Sequence, residues 1–306
     1  MNALVRRTAG RDDEQLSLAI YNDVWPRGAV TLDEVESFKR STLAYVDHLA
    51  ILDGEPVGSG FVAILPRRPD LAHAAITVLA PYRRRGAATA LYREISAWCA
   101  ERGLDTIEAR MEADDEVSLE FVRRRGFTEI ERDSRMVLDL AGLDLPPAAA
   151  PAGIEIVSWA DRPDLARGMY DVAVEAYSDV PGAEDEEMEP YADWLAHDMQ
   201  GSADRPEATF IALAGAEVVG YSKFFLTAAR PSAASHDMTG VKRAWRGRGV
   251  AGALKREMIA WAKQQGYEQL VTSNELRNEP IRRLNARLGY REAPGHVVMR
   301  GPLLSG

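Results

Sequence analysis

Arg246-Gly247-Arg248-Gly249 leads directly into Val250, Leu254, Met258 and Trp261, an apolar stripe with helical spacings of 4, 4 and 3. A glycine-rich turn opening a helix suits an anion. The first backbone N–H groups of a helix have no partner within it and sit at its positive dipole end. Glycine lets that backbone approach a ligand without a Cβ in the way, and arginine adds charge-assisted hydrogen bonds. The chemistry that fits is phosphate or pyrophosphate binding, against the plainer reading of a solvated turn and helix cap.

Three phosphate loops compete for these residues. A P-loop needs Lys-Ser/Thr after its second glycine, which is missing here. Gly247 to Gly252, read as GRGVAG, satisfies the dinucleotide fingerprint, and Glu275 follows at a tolerable distance. The chain, however, writes this loop twice. The other copy, RRRGAA, keeps only the middle glycine, so the shared core is Arg-x-x-Gly-x-Ala: Arg83, Gly86 and Ala88, then Arg246, Gly249 and Ala251.

The repetition extends well beyond the loop. Arg83 and Arg246, Leu91 and Leu254, Trp98 and Trp261, Gly126 and Gly289 are each 163 residues apart (246 − 83; 289 − 126). DGEPVGSG at 53–60 similarly resembles GAEVVGYS at 215–222. A Pro- and Ala-rich stretch at 141–153 reads as a linker, giving expected domains 1–143 and 153–306 joined by 144–152.

Comparison at the fixed offset separates the two copies chemically. His236 aligns with His73, so that histidine is in both and fits a structural role as well as a catalytic one. Asp237 aligns with Ala74, Thr239 with Ile76, Asn274 with Met111, Asn278 with Asp115 and Asn285 with Val122. Gly240, against Thr77, is a plausible place for a strand irregularity. The second copy thus keeps carboxylate, hydroxyl and amide groups where the first is mostly apolar. Asn278, before Glu279-Pro280, fits a helix N-cap equally well.

Elements able to position these residues follow from the patterning. Each half reads as a first helix (about 12–24 and 161–178), a variable charged region and three apolar strands. The Arg/Gly loop, a long helix, a strand, a further helix and a final strand follow. This is mixed α/β. The chain has 306 residues, enough for two domains, with 46% hydrophobic and 27% charged residues, an ordinary globular composition. A net charge of −10 argues against a nucleic-acid partner and suits a cationic small molecule. No apolar run approaches the ~20 residues of a membrane helix, and the N-terminus lacks a secretory pattern, so a cytoplasmic location is expected. The lone cysteine, Cys99, sits on an apolar helix pattern and reads as a buried thiol.

At this point the sequence resembles the GCN5-related N-acetyltransferase (GNAT) superfamily, in a tandem two-domain form. The likeness rests on a strand ending in valine (Val78, Val241), Arg-x-x-Gly-x-Ala opening a helix, and a later helix ending Arg-Arg-Gly-Phe (124–127) or Arg-Leu-Gly-Tyr (287–290). It implies two GNAT-like domains, each a mixed, mostly antiparallel sheet flanked by helices, with a splayed central pair of parallel strands. It implies acetyl-CoA, held in the second half by Val241, Arg246, Gly247, Arg248, Gly249, Val250, Ala251, Asn278 and Asn285, and in the first by Arg83, Arg85, Gly86 and Ala88. Acetyl transfer to an amine then needs a base, for which Asp237 and His236 are the candidates. Thr239, Asn274, Glu186 and Glu187 are expected to face a small primary amine. The last two lie in an acidic run at 182–198 that also fits a solvated helix start. Many GNATs carry a tyrosine general acid at the position of Asn285, and neither half has one. A non-catalytic CoA-binding or sensing protein is the alternative. No metal is called for, and the assembly is expected to be a monomer or homodimer.

Overall fold

A computed structural model of the chain describes residues 3–144, 149–179 and 188–304, apart from the side chain of Glu275. In chain order the first elements are β1 (Leu4–Arg7), α1 (Gly10–Val24), α2 (Leu32–Arg40), β2 (Ala44–Leu52), β3 (Glu55–Leu65), β4 (Arg68–Val78), α3 (Ala87–Ala100), β5 (Thr106–Glu112), α4 (Glu116–Arg123) and β6 (Thr128–Asp139). They are followed by β7 (Glu155–Ser158), α5 (Ala166–Tyr177), α6 (Tyr191–Trp194), β8 (Thr209–Ala214), β9 (Glu217–Phe225), β10 (Ala233–Val241), α7 (Val250–Gln264), β11 (Gln269–Glu275), α8 (Glu279–Arg287), β12 (Arg291–Ala293) and β13 (His296–Pro302). No helix among the described residues is long and apolar enough to cross a membrane.

The long helices form for the reason their spacing suggests. Leu91, Ile95, Trp98 and Cys99 of α3, and Leu254, Met258 and Ile259 of α7, are buried on one stripe each. Burial pushes the Cys99 thiol up to about 11, which leaves it an inert packing group. Beyond these helices, Gly103 and Gly266 take positive φ (73° and 82°) and turn the chain back toward the sheet.

The chain forms two compact units, residues 1–132 with 296–306, and residues 133–295. In the first, the sheet order is β1-β2-β3-β4-β5-β13, with the opening residues of β6 beside β13. In the second it is β7-β8-β9-β10-β11 and the remainder of β6, with β12 also on β6. Each sheet is antiparallel except for one parallel pair, β4 with β5 and β10 with β11.

This division differs from the expected boundaries at 143 and 153. The reason is a reciprocal exchange of last strands. Residues 128–139 of β6 correspond at the offset of 163 to residues 291–302, which form β12 and β13 (128 + 163; 139 + 163). Yet β13 pairs with β5, Pro302 opposite Thr106, and β6 pairs with β11, Asp139 opposite Gln269. Each half of the sequence supplies the last strand of the other half's sheet. Val297 and Met299 are buried in the first unit's core against Phe127 and Ile107. The Tyr92 hydroxyl donates to the Pro302 carbonyl, and the Leu304 amide donates to Ser96 Oγ at 2.9 Å. Leu140 likewise lies in the core of the second unit, its amide donating to the Glu268 carbonyl at 2.8 Å.

Met299→Ala therefore removes a buried side chain from the first unit, at a cost of about 2–5 kcal/mol. Hydrogen exchange should show lost protection in β5, at 106–112, with β11, at 269–275, still protected. A loss confined to β11 would contradict the exchange.

Candidate functional site

The two parallel strand pairs hold together only at their starts. β10 and β11 pair from Ala233–Gln269 to His236–Thr272 and then part. β4 and β5 pair only at Ala72–Ile107 and His73–Glu108. The splay expected from the resemblance is present in both units, and in both the pairing ends at the corresponding histidine, His73 and His236.

The units differ at the next residue along. In the second, the antiparallel register of β10 on β9 shifts between His236, opposite Phe224, and Met238, opposite Lys223. Asp237 is the extra residue of that bulge. It has no register partner on β9 and lies just past the last one on β11. Its side chain, 45% exposed, points out of the sheet. The irregularity expected at Gly240 is instead at Asp237. Gly240 stays in register with Tyr221, and its lack of a Cβ makes room for Ala176 and Val172 of α5. In the first unit β4 runs on β3 without a shift from Ala72 to Val78.

Asp237 accepts from Lys223 Nζ at 2.8 Å, and Lys223 also meets Asp204 at 2.7 Å and the Asp198 carbonyl. Lys223 and Asp204 are almost fully buried (6% and 8% exposed side chains). Burial alone lowers a lysine, but the carboxylates of Asp237 and Asp204 overcome it and hold Lys223 above its ordinary range. Burial pushes Asp204 above the usual carboxylate range, with Lys223 opposing. Sequence reasoning missed both residues. They are an ordinary lysine on a strand and an aspartate in a loop, and only tertiary structure brings them to the bulge.

His236 is placed differently from a catalytic group. It is 5% exposed, with Nδ1 3.1 Å from the Tyr290 hydroxyl, Nε2 2.7 Å from Met258 Sδ, and its ring 4.9 Å from Phe224. Burial, aided by the charge of Lys255, depresses it well below the usual histidine range. It is a neutral core residue at the base of the splay, and alternation along the strand turns it inward where Asp237 faces out. Thr239 stays near the opening, its hydroxyl 2.7 Å from Ser222 Oγ. Asn274 and Asn285 come together, Asn285 Nδ2 donating to Asn274 Oδ1 at 2.7 Å. Asn285 is fully buried, and its own Oδ1 has no partner among the described residues. Asn278 sits at the N-cap of α8 without making a side-chain cap hydrogen bond. Glu186 and Glu187 lie outside the described residues.

The two Arg/Gly loops share one backbone shape. Gly86 (φ 91°) and Gly249 (φ 85°) are left-handed N-caps of α3 and α7, and neither helix start is capped by a side chain. Two residues earlier, Gly247 (φ 74°) corresponds to Arg84 (φ 61°). A Cβ at Gly86 or Gly247 would meet nothing within 4 Å, and at Gly249 only Pro151 at 3.6 Å. This is a bare cradle of unpaired amides. Val250, Ala251, Val241 and Ala88 around it are buried or half-buried packing residues.

The first arginine of each loop is already committed to the fold. Arg83 Nε donates to the Val78 carbonyl at 3.1 Å, and Arg246 Nε to that of Val241 at 2.9 Å. Each ties its loop to the end of the strand before it. Arg246 also pairs with Asp179 at 2.7 Å, and Arg85 with Asp53 at 2.8 Å. Arg248 lies over the Trp245 ring at 4.9 Å, with no carboxylate partner among the described residues.

The first unit keeps a cleft of about 560 Å³ between the parted strands, lined by residues of β4, the loop, the first turn of α3, β5 and α4. Its polar groups are mostly spoken for. The Thr77 hydroxyl is 2.9 Å from Ser59 Oγ, and Glu112 accepts from Trp25 Nε1 at 2.5 Å and Arg27 at 2.7 Å.

Residues 14–127 and 166–290 match the model of the acetyltransferase (GNAT) family. Along 310 aligned residues the chain is 26% identical to a mycothiol acetyltransferase of Pseudarthrobacter chlorophenolicus, covering 90% of this chain and 85% of that protein. A tandem GNAT protein from the clavulanic acid biosynthesis pathway has a similar structure (TM-score 0.78, 20% identity, all of both chains). So does a GCN5-related N-acetyltransferase from Sphaerobacter thermophilus (TM-score 0.76, 21% identity, 99% of this chain and 96% of that one).

Lys223→Met strands the buried Asp204 carboxylate and should cost about 3–5 kcal/mol at pH 7.5 by urea denaturation. The folded carboxylate titrates above its unfolded value, so stability is lost as pH rises through the folded pKa and returns as pH falls. The deficit should shrink between pH 7.5 and pH 5. A deficit that grows on acidification would remove the buried pair from the account.

Proposed function

The chain belongs to the acetyltransferase (GNAT) family, and from that premise we propose that it transfers the acetyl group of acetyl-CoA to the primary amine of a small, cationic molecule, with the chemistry in the second unit. The observation that carries this reading is Asp237, the bulge residue without a register partner at the mouth of the splay, where the first unit has an in-register alanine.

The residues fit acetyl-CoA. Amides of the first turn of α7 and the open glycines at 247 and 249 suit a pyrophosphate, with Arg248 the arginine left to meet it. The buried Asn285 Oδ1, without a partner among the described residues, is an acceptor suited to an amide N–H such as those of a pantetheine arm. When bound, acetyl-CoA supplies an activated thioester.

The chain's own groups do the rest. A backbone amide freed by the bulge can donate to the thioester oxygen, where negative charge develops. An ammonium of ordinary pKa is neutral in only about one molecule in a few thousand at pH 7. Asp237 attracts and orients the cation and receives its proton directly or through water, with Lys223 fixing the carboxylate in place. The acceptor side is walled by Met238, which packs against a cluster containing Tyr170, Tyr191 and Trp194. His236 serves this reading as a support, not as the base.

A screen of primary amines for thiol release from acetyl-CoA tests the activity, and silence with every amine would turn the weight to cofactor binding alone. With an accepted amine, Asp237→Asn should lower kcat by about 10²- to 10⁴-fold while acetyl-CoA affinity is kept. Unchanged turnover would remove Asp237 from the reaction. Gly249→Glu places a carboxylate and a strained φ in the cradle and should abolish transfer, whereas Gly86→Glu should leave turnover in place. Equal loss from both would sink the assignment of chemistry to the second unit.

A further inference from the structure

Lys255 is 1% exposed on α7 and, among the described residues, has no carboxylate partner. An uncompensated cation in a core is costly, so its place calls for an account that packing alone does not give. Its position along the helix is set by its neighbours. Leu254 approaches Gly220, the register partner of Val241, and Met258 touches His236. Lys255 thus stands on the part of α7 that passes beneath β10 between its end and the base of the splay, the stretch containing the Asp237 bulge.

The groups facing it are few. From β10 comes His236; from the turn after α8 comes Tyr290, whose ring centre is 5.7 Å from Lys255 Nζ and whose hydroxyl is engaged with His236. The Tyr290 amide in turn donates to the carbonyl of Asn285, the residue with the orphan buried oxygen. His236 and Tyr290 are both held neutral by burial, and the first-unit cleft is lined by Tyr92, Val122 and Phe127, the counterparts at the offset of 163 of Lys255, Asn285 and Tyr290. In the first unit the corresponding position is Tyr92 (255 − 163), and its hydroxyl is spent on the Pro302 carbonyl.

Resting on the acetyl-transfer reading above, we propose that Lys255 is the proton donor to the departing thiol in the second unit. The amine nitrogen bonds to the thioester carbon and the carbon–sulfur bond breaks, its electron pair going to sulfur. The Lys255 ammonium gives sulfur a proton and is left neutral. The proton shed by the amine passes to Asp237 or water, and solvent restores the lysine before the next turnover. Burial lowers Lys255 to about 7, so near neutrality it can both give up a proton and regain one. A carboxamide at 285 cannot serve as such an acid, and Lys255 supplies one from the neighbouring helix.

The test compares CoA with desulfo-CoA, which lacks the thiol, by calorimetry at neutral pH in the full chain and in Lys255→Met. In the wild type the ammonium should favour the thiolate, so that the thiol of bound CoA titrates below its ordinary value of about 8.5 and CoA binds more tightly than desulfo-CoA. In the variant that preference should vanish with desulfo-CoA affinity unchanged, and kcat should fall while the KM for acetyl-CoA holds. A preference that survives in the variant, or is absent from a wild type that binds both, overturns the proposal. Failure of the wild type to bind either nucleotide overturns the cofactor reading beneath it. Should the variant not fold, the wild type alone decides: the thiol of bound CoA should titrate below its ordinary value of about 8.5, and an unshifted thiol refutes the role.

Discussion

Two parallel strands that part in mid-course leave backbone N–H and C=O groups without partners, and everything around the second-unit site answers to that cost. Buried unpaired amides are strongly unfavourable, so the parting must be closed firmly at one end and left open to a ligand at the other. His236 and Thr272 are the last pair before the gap. The histidine, wedged among Tyr290, Met258 and Phe224, fixes α7 and the turn after α8 against the strand at that point. Beyond it the bulge takes Asp237 out of register with β9 as well. Lys223 and Asp204 then hold in one direction a carboxylate that its backbone no longer constrains.

The two copies lost and kept different parts of this arrangement. Both retain the parting, and both retain the left-handed cap before the long helix. The first copy even keeps a positive φ at Arg84, a residue for which that conformation costs of order 1 kcal/mol. Holding it there without glycine implies that the shape of the loop matters in the first unit too. What the first copy lacks is the bulge, the carboxylate and the buried cation: Ala74 and Tyr92 stand in their places, and β4 stays zipped to β3.

The loop, the long helices and the splayed pair were legible in the sequence because each is a local pattern written twice. Helical spacing marked the buried stripe of α7, and the fixed offset exposed Asp237 against Ala74. Three things were not legible. His73 and His236 looked alike by offset, but which way a strand residue faces depends on register, and one extra residue changes the register between His236 and Met238. Arg83 and Arg246 read as ligand groups because arginine suits phosphate, whereas each spends its Nε on a strand-end carbonyl that no sequence pattern announces. The strand exchange was hidden by the duplication itself. When both halves carry the same final strand, self-comparison cannot say which sheet each joins.

That exchange also bears on how the protein is made. The ribosome releases the chain from its N-terminus, and domains ordinarily fold as their own residues appear. Here β5 must wait for β13, synthesised almost 200 residues later, before its open edge is covered. Until then the first unit carries an open strand edge of the kind that can pair with another chain. The second unit has no such delay, since β6 has already emerged when β11 arrives. The order of folding is thereby the reverse of the order of synthesis: the later half can complete its sheet first, and the earlier half closes last.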